Sequence, residues 1–402
     1  MVYDFTSIID RMGKDSIAVE ALGKAPWMPG APKDGFDAIP MWVADMNFAT
    51  VPTIPKAMIQ RAQHPCYGYF MPRAEYFDAI IRWHAQRKGV TDIQSQHIGY
   101  ANGVLGGVIA AVNVLCSRGD KVLLHSPTYV GFTHTLEDNG YHIIHSALKL
   151  DENGIWRMDF EDMEKKIVEN KIHAAIFCSP HNPTGRVWER WEIEQAMELY
   201  RKHDVSVISD EIWSDIILSG NKHIATQSVS EDAKMRTVAL YAPSKTFNLA
   251  GLVGSYHIIY NQRLKDRHDK EASLGHYNSM NVMSMHALIG AYGPEGNEWV
   301  KELNETITGN VDFACDYIAK HFEGVTVSRP QGTYMLFIDC AGWLKKTGKT
   351  MDELMKAGWD VGVVWQDGRA FHGQTHIRLN LALPLSRVQE AFERLDKYVF
   401  NA

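Results

Sequence analysis

Short β-rich runs alternate with longer amphipathic stretches from about residue 50 to residue 290, and this alternation constrains the fold more than any other feature. The predicted strands are 121–125, 141–146, 174–178, 205–209, 237–241 and 254–259, and the helices between them include 160–170 and 189–203. Strands that are separated by helices need crossover connections. The pattern therefore predicts an α/β fold with a mostly parallel central sheet.

Length and composition predict a large domain and a smaller one. The chain has 402 residues, of which 45% are hydrophobic and 22% are charged, as in ordinary soluble globular proteins. We expect residues 46–294 to form the large domain that holds the mostly parallel sheet. Residues 295–402 are expected to form a smaller α+β domain, with residues 1–45 packing against it.

Charge and cysteine content exclude several classes of function. The net charge is −7 without any block of like charges, which argues against a nucleic-acid partner or an anionic membrane surface. The longest nearly apolar run, 103–116, is shorter than the roughly 20 residues that span a bilayer. Five cysteines without a Cys-x-x-Cys pair fit a reducing cytoplasm, where we expect the protein, and the scattered histidines predict no metal site.

Three polar residues follow three different predicted strands. Asn182 lies in Pro-His-Asn-Pro-Thr-Gly, Asp210 in Ser-Asp-Glu-Ile-Trp-Ser-Asp, and Lys245 in Ala-Pro-Ser-Lys-Thr-Phe-Asn. In open parallel sheets, ligands bind beyond the carboxyl ends of the strands. The sequence therefore predicts that these three side chains meet in one cleft.

This set of side chains suits pyridoxal 5'-phosphate (PLP). PLP needs a lysine that forms an imine with its aldehyde and a carboxylate that keeps its pyridine nitrogen protonated. We assign these roles to Lys245 and Asp210, and expect Asn182 to donate to the 3'-oxygen of the cofactor. Lys245, once released by the substrate amine, is also the predicted base for the Cα proton. The alternatives are an exposed loop lysine, a helix-capping aspartate and a structural Asn-Pro turn.

Further candidates surround this core. Gly103, Val104 and Leu105 begin a predicted helix whose free N–H groups are a natural phosphate cradle. Tyr129 follows another strand and is predicted to stack on the pyridine ring and to assist catalysis, the alternative being a core tyrosine. Arg378 is a lone arginine in an apolar strand, which predicts a planar anion beside it. We expect the substrate α-carboxylate there, and an internal salt bridge is the alternative.

The whole set resembles the fold-type I, aspartate aminotransferase-like PLP enzymes, and within them the MalY/PatB group of cystathionine β-lyase-type C–S lyases. The resemblance covers nearly the whole chain. Its motifs are Met-Trp-Val-Ala-Asp-Met-Asn-Phe at 41–48, Tyr-Gly-Tyr at 67–69, Gly-Asn-Lys-His-Ile at 220–224, and the segments around Asn182, Asp210, Lys245 and Arg378.

The resemblance implies a homodimer whose active sites are shared between subunits. A tyrosine of the partner subunit is then expected to reach the phosphate, and we assign this role to Tyr67, with Tyr69 as the alternative. The family also implies Ser244 on the phosphate, and Ala44 with Asp45 near the substrate carboxylate. Asn182 is expected to contact the substrate as well as the cofactor.

The resemblance implies β-elimination from an S-substituted L-cysteine such as cystathionine, giving a thiol, pyruvate and ammonia. Transamination between an L-amino acid and a 2-oxo acid uses the same residues and is the second hypothesis. A third class is a regulatory binding protein that acts through protein contacts. Trp213, expected at the cofactor, stands where relatives usually carry His or Tyr, and an indole cannot titrate.

Overall fold

The computed structural model describes residues 2–25, 27–274 and 278–401, which form two compact units. The larger unit comprises Thr50–Asn182 and Arg186–Lys301, and the smaller one comprises Met1–Ala49, Pro183–Gly185 and Glu302–Ala402. Residues 46–49 group with the smaller unit, whereas residues 295–301 group with the larger one.

The strands agree closely with the β-rich runs of the sequence. In chain order they are β1 (Ile39–Pro40), β2 (Ile98–Ala101), β3 (Lys121–Ser126), β4 (His142–Ala147), β5 (Lys149–Leu150), β6 (Trp156–Arg157), β7 (Ala174–Cys178), β8 (Ser206–Asp210), β9 (Thr237–Tyr241), β10 (Ser255–Ile258), β11 (Thr326–Val327), β12 (Met335–Asp339), β13 (Val363–Val364), β14 (Gln366–Asp367) and β15 (His376–Asn380).

The helices occupy most of the amphipathic stretches between the strands. They are α1 (Ile17–Glu20), α2 (Thr53–Ala62), α3 (Ala74–Lys88), α4 (Gly103–Leu115), α5 (Val130–Asp138), α6 (Phe160–Asn170), α7 (Arg190–Lys202), α8 (Glu231–Arg236), α9 (Gln262–Leu274), α10 (Val282–Ala291), α11 (Pro294–His321), α12 (Ala341–Thr347), α13 (Met351–Asp360) and α14 (Leu385–Leu395). No helix of the described residues is both long and apolar enough to cross a membrane.

A seven-stranded sheet is the centre of the larger unit. Its strand order is β2-β10-β9-β8-β7-β3-β4. The five strands from β9 to β4 are mutually parallel, and β10 is antiparallel to both of its neighbours. The predicted α/β fold with a mostly parallel sheet is confirmed. The sheet is mostly parallel because helices separate the successive strands in the sequence and form the crossover connections that parallel strands require.

Helices cover both faces of this sheet, which explains why its strands are apolar at successive positions. On β3, Leu124 packs into a cluster with Val108 of α4, whereas its neighbour Leu123 packs on the other face with Met163 of α6 and Ile193 of α7. Successive side chains of a strand point to opposite faces of the sheet. A sheet that has helices on both faces therefore needs apolar residues at odd and even positions of its strands alike.

The smaller unit contains a four-stranded antiparallel sheet with the order β11-β12-β15-β14. β15 is central, pairing with β12 along its whole length and with β14 at Gln366 and Asp367. The N-terminal segment adds β1, which pairs in parallel with β13. Both ends of the chain therefore build this unit.

Candidate active site

The loops that carry the predicted cofactor residues leave one edge of the seven-stranded sheet. β7, β8 and β9 are parallel and in register at their ends, where Cys178 pairs with Asp210, and Asp210 pairs with Leu240. Asn182 and Lys245 lie in the loops that follow β7 and β9. Because the carboxyl ends of neighbouring parallel strands meet at one edge, strand direction alone brings these loops together.

Asp210 is a buried acid at the last position of β8, with 4% of its surface exposed. Its Oδ1 accepts the backbone N–H of Ile212 at 3.0 Å. Burial raises the pKa of Asp210 to about 7, although the Ile212 N–H and the positive charge of Lys245 both lower it. A carboxyl group in this position ionises readily only beside a further positive charge.

Lys245 lies in a tight turn after β9. The N–H of Leu249 donates to the carbonyl of Ser244 at 3.0 Å, which closes the turn around the lysine. The lysine is half-buried, and its Nζ lies 5.8 Å from the ring centroid of Trp213. An ammonium group near an indole face is attracted by the ring quadrupole. Trp213 is 2% exposed, so this ring has a fixed place beside the lysine.

The start of α4 and Tyr129 come together around a glycine. Gly103 has φ +74°, a left-handed conformation that glycine adopts without strain, and it opens a helix whose first N–H groups have no partner within the helix itself. A Cβ atom at Gly131 would lie 2.4 Å from Cε1 of Tyr129 and 2.9 Å from Cδ1 of Leu105. The missing side chain lets these two residues pack together, and Val104 points into the core.

Asn182 is 3% exposed and lies four residues after the end of β7. The thiol of Cys178 donates to the carbonyl of Pro180 at 3.3 Å, which ties the loop to the strand that precedes it. The loop is closed by the N–H of His181, which donates to the carbonyl of Arg186 at 2.8 Å. Asn182 thus has a defined position beyond the strand end, as the predicted role requires.

Arg378 is a buried, hydrogen-bonded arginine in the smaller unit. It is 3% exposed on β15, and its Nη2 donates to the carbonyl of Trp42 at 3.0 Å and to the side-chain oxygen of Gln366. Its guanidinium carbon lies 4.3 Å from the ring centroid of Phe371. The contacts of Arg378 with Trp42 and Gln366 are with neutral groups.

Ala44 lies in a segment that β15 holds in place. The hydroxyl of Tyr334 donates to the carbonyl of Ala44 at 3.1 Å, and the amide of Asn380 donates to the carbonyl of Val43 at 2.8 Å. The carboxylate of Asp45 forms an ion pair with Arg11. The backbone of residues 43–45 is thus fixed, and the charge of Asp45 is neutralised within the chain.

Tyr67 and Tyr69 lie on an exposed segment between α2 and α3. Tyr67 is 58% exposed, and its hydroxyl donates to the carbonyl of Ala62 at 2.6 Å, while the Arg61 guanidinium lies 5.0 Å from the ring centroid. Tyr69 is fully exposed. Within the described part of one chain, the hydrogen bond and the ring contact of Tyr67 are both with α2.

A buried network beside Asp210 was missed from the sequence. Glu211 is fully buried, and its carboxylate accepts the N–H of Thr226 at 3.0 Å, the hydroxyl of Tyr241 at 2.8 Å and Nε2 of His223 at 2.8 Å. Burial raises the pKa of Glu211, but the contacts with His223 and Tyr241 outweigh it and the pKa is lowered. The sequence did contain a signal for this network, because an acidic residue directly after Asp210, at the end of an apolar run, needs buried polar partners.

One group of described residues has ligand atoms close enough to share an ion, namely His257, His268 and Asp269, within 4.8 Å of one another. Asp269 already forms an ion pair with the ammonium group of Lys265, and its Oδ1 lies 3.2 Å from His257 Nε2. A lysine charge on the carboxylate disfavours a second cation there, so these contacts account for the group without a metal.

Comparison with known proteins agrees with this geometry. The sequence model of aminotransferase class I and II matches residues 38–395. Cystathionine beta-lyase PatB of Bacillus subtilis (strain 168) is 32% identical over 89% of this chain and 92% of its own length. The PLP-bound C–S lyase of Staphylococcus hominis is 29% identical with a TM-score of 0.89, covering 99% of each chain.

A further solved structure comes from Clostridium difficile 630, a PLP-bound protein provisionally named an aminotransferase. It is 32% identical with a TM-score of 0.90, and the match covers 98% of this chain and 99% of that one. The fold agrees with these two solved structures over almost the whole chain. The protein therefore belongs to the aminotransferase class I and II family.

Proposed function

We propose that this protein is a PLP-dependent carbon–sulfur lyase, which converts cystathionine or a related S-substituted L-cysteine and water into a thiol, pyruvate and ammonia. The observation that carries the proposal is the pair formed by the buried acid Asp210 and the lysine Lys245 at one sheet edge. Relatives named cystathionine beta-lyase and C–S lyase match nearly the full chain and indicate elimination as the reaction.

The residues at this edge fit PLP. Asp210 is buried without enough positive charge to ionise readily, and a protonated pyridine nitrogen supplies that charge. The N–H groups at the start of α4, together with Ser244, suit the phosphate. Lys245 offers the amine for the aldehyde, and Asn182 offers an amide donor for the 3'-oxygen. These residues belong to the larger unit, which we propose is the cofactor-binding domain.

When bound, PLP supplies an electron sink for the negative charge that develops at the substrate Cα. Arg378 binds the α-carboxylate, and its planar guanidinium is suited to two parallel hydrogen bonds. Lys245 Nζ would act as the free base that removes the Cα proton. Tyr129 would lie beside the bound cofactor. The leaving group is a thiolate, so no strong general acid is needed.

We further propose that the protein acts as a cytoplasmic homodimer with shared active sites. The support is the exposed segment that carries Tyr67 and Tyr69. Residues 62–75 are exposed throughout, including Phe70 and Met71. Exposed aromatic side chains in one stretch are typical of a protein interface.

Transamination is the second candidate, and it is favoured by the similarity to the Clostridium difficile protein. It shares the binding of the carboxylate and the removal of the Cα proton. It would differ in one step, because Lys245 would then return the proton to the cofactor and no thiolate would depart from Cβ. The two reactions are separated by their products.

The test is to incubate the PLP-loaded protein with L-cystathionine, without a 2-oxo acid, and to measure pyruvate and ammonia. Equal amounts of both products over many turnovers are expected, and a Lys245→Ala variant should form neither. Conversion of the cofactor to its pyridoxamine form, with no pyruvate, would refute the lyase and establish the aminotransferase. A variant at the exposed Lys301, Lys301→Ala, controls for loss of a lysine as such.

A further inference from the structure

A buried ionic cluster contacts the turn that carries Lys245. Its centre is Asp215, which lies five residues after Asp210 and is 4% exposed. The indole N–H of Trp83 lies 3.1 Å from Oδ2, and both Nε of Arg87 and Nζ of Lys88 contact Oδ1 at 3.1 and 2.9 Å. None of these residues has a part in the proposed reaction.

The charge of Asp215 is stable in this environment. Burial raises the pKa of Asp215, but the nearby charges of Lys88 and Arg87 outweigh it and hold the pKa well below its ordinary value. Lys88 is the last residue of α3, where the helix dipole favours a cation. Asp215 is therefore a fixed anion, tied to the end of a long helix.

Asp215 also accepts a hydrogen bond from the residue that follows the lysine. The hydroxyl of Thr246, which is fully buried, lies 3.2 Å from Asp215 Oδ2. The next residue, Phe247, is fully buried and stacks on Trp299 with a centroid distance of 5.4 Å. The chain just beyond Lys245 is thus anchored twice, once by a charged hydrogen bond and once by aromatic packing.

We propose that the hydrogen bond between Asp215 and Thr246 is a positioning contact for Lys245, an inference that rests on the proposed function. The contact fixes the backbone from which the lysine extends, so that Nζ meets the substrate Cα proton in one geometry. Proton transfer is sensitive to such placement, because a shift of about 1 Å costs on the order of a hundredfold in rate. Binding of the substrate carboxylate uses Arg378 and does not depend on this contact.

The test compares Thr246→Val with Thr246→Ser in the PLP-loaded protein. Valine keeps the shape and removes the hydroxyl, whereas serine keeps the hydroxyl. For Thr246→Val we expect kcat for L-cystathionine to fall about tenfold, the size of effect expected for a lost hydrogen bond to a charged group, while KM stays unchanged. Thr246→Ser should retain the rate of the wild type.

The second readout is the pH at which the visible absorption of the bound cofactor changes, because this reports the environment of the Lys245 nitrogen. A shift is expected in Thr246→Val and none in Thr246→Ser. A purely structural role would lower the melting temperature of both loaded and cofactor-free protein but leave this pH unchanged. Rates are normalised to bound cofactor, and Thr246→Ala serves if the valine variant does not fold.

Unchanged kcat and an unchanged absorbance titration in Thr246→Val would overturn the inference. Equal losses in the serine and valine variants would overturn it too, because the hydroxyl would then not be the group that matters. Failure of the proposed function has a different signature, since the wild type would bind no PLP or release no pyruvate. If PLP binds but no pyruvate forms, the absorbance titration alone decides whether Asp215 positions the lysine.

Discussion

The buried carboxyl group of Asp210 makes the stability of the cofactor-free protein depend on pH in a direction that is unusual for an aspartate. Burial raises its pKa from the ordinary 3.8 to about 7 in the folded chain. Between these values the folded protein holds a proton that the unfolded chain has released. The contribution of Asp210 to the free energy of unfolding must therefore fall as the pH rises from about 4 to about 7.

The magnitude follows from the size of the shift. Each pKa unit corresponds to about 1.4 kcal/mol, so Asp210 alone removes about 4 kcal/mol of stability by pH 7 and about 2 kcal/mol of this between pH 5 and pH 7. An Asp210→Asn variant cannot ionise and keeps the Oδ1 acceptor for the N–H of Ile212. The cofactor-free variant should therefore be more stable than the wild type at pH 7, and its advantage should shrink at pH 5.

Urea unfolding of both cofactor-free proteins from pH 5 to pH 8 measures this difference. The wild type loaded with PLP is the internal control, because a protonated ring nitrogen beside Asp210 would favour the ionised carboxylate and should abolish the pH-dependent difference between the wild type and the variant. Parallel stability curves for the wild type and the variant would refute the reasoning. They would mean that Asp210 is already ionised without a cofactor.

Three other substitutions test separate parts of the site. Gly131→Ala places a methyl group against Tyr129 and should weaken PLP binding by about 1–3 kcal/mol, measured by cofactor titration. Arg378→Lys loses the planar fork and should lower kcat/KM about 10- to 150-fold, measured with L-cystathionine. Asp215→Asn leaves buried cations without their partner and should lower the free energy of unfolding by about 3 kcal/mol, measured in urea.

Two of these, Gly131→Ala and Asp215→Asn, have a matched control. Gly309→Ala adds a methyl group where nothing lies within 4 Å, so PLP binding should not change. Asp360→Asn breaks ion pairs with the exposed Lys33 and Lys356 and should cost less than about 1 kcal/mol. Unaltered PLP affinity in Gly131→Ala would contradict the proposed contact between Tyr129 and the cofactor ring. A normal kcat/KM in Arg378→Lys would mean that Arg378 does not bind the substrate α-carboxylate.

Much of the fold was predictable because its signals are local. The predicted strands 174–178 and 237–241 and the helix 160–170 have the bounds that the structure shows. Apolar runs, helical periodicity and the N-cap of α6, where Asp159 accepts the N–H of Asp162, depend on residues close in the sequence. Their alternation then restricts the sheet to mostly parallel topologies.

Predictions that involve a second chain could not be decided in the same way. Tyr67 is exposed, and its contacts in one chain are with α2. A role in the partner's site depends on a surface that forms only on association, so it stays a prediction. The same holds for the placement of substrate by Arg378 and Ala44, since binding of a ligand is not encoded in the local pattern of their strand and segment.

The sequence by itself was enough to predict the order of the strands and helices, the cofactor and the polar residues at the strand ends. These depend on apolar runs and short motifs, which involve only residues close together in the sequence. Only the tertiary structure decided that Asp215 reaches Thr246, 31 residues further along, and that Glu211 meets His223 and Tyr241. Such contacts depend on the exact packing of distant segments. Burial, which sets the charge of each acid, is likewise a property of the assembled fold and not of any one stretch of chain.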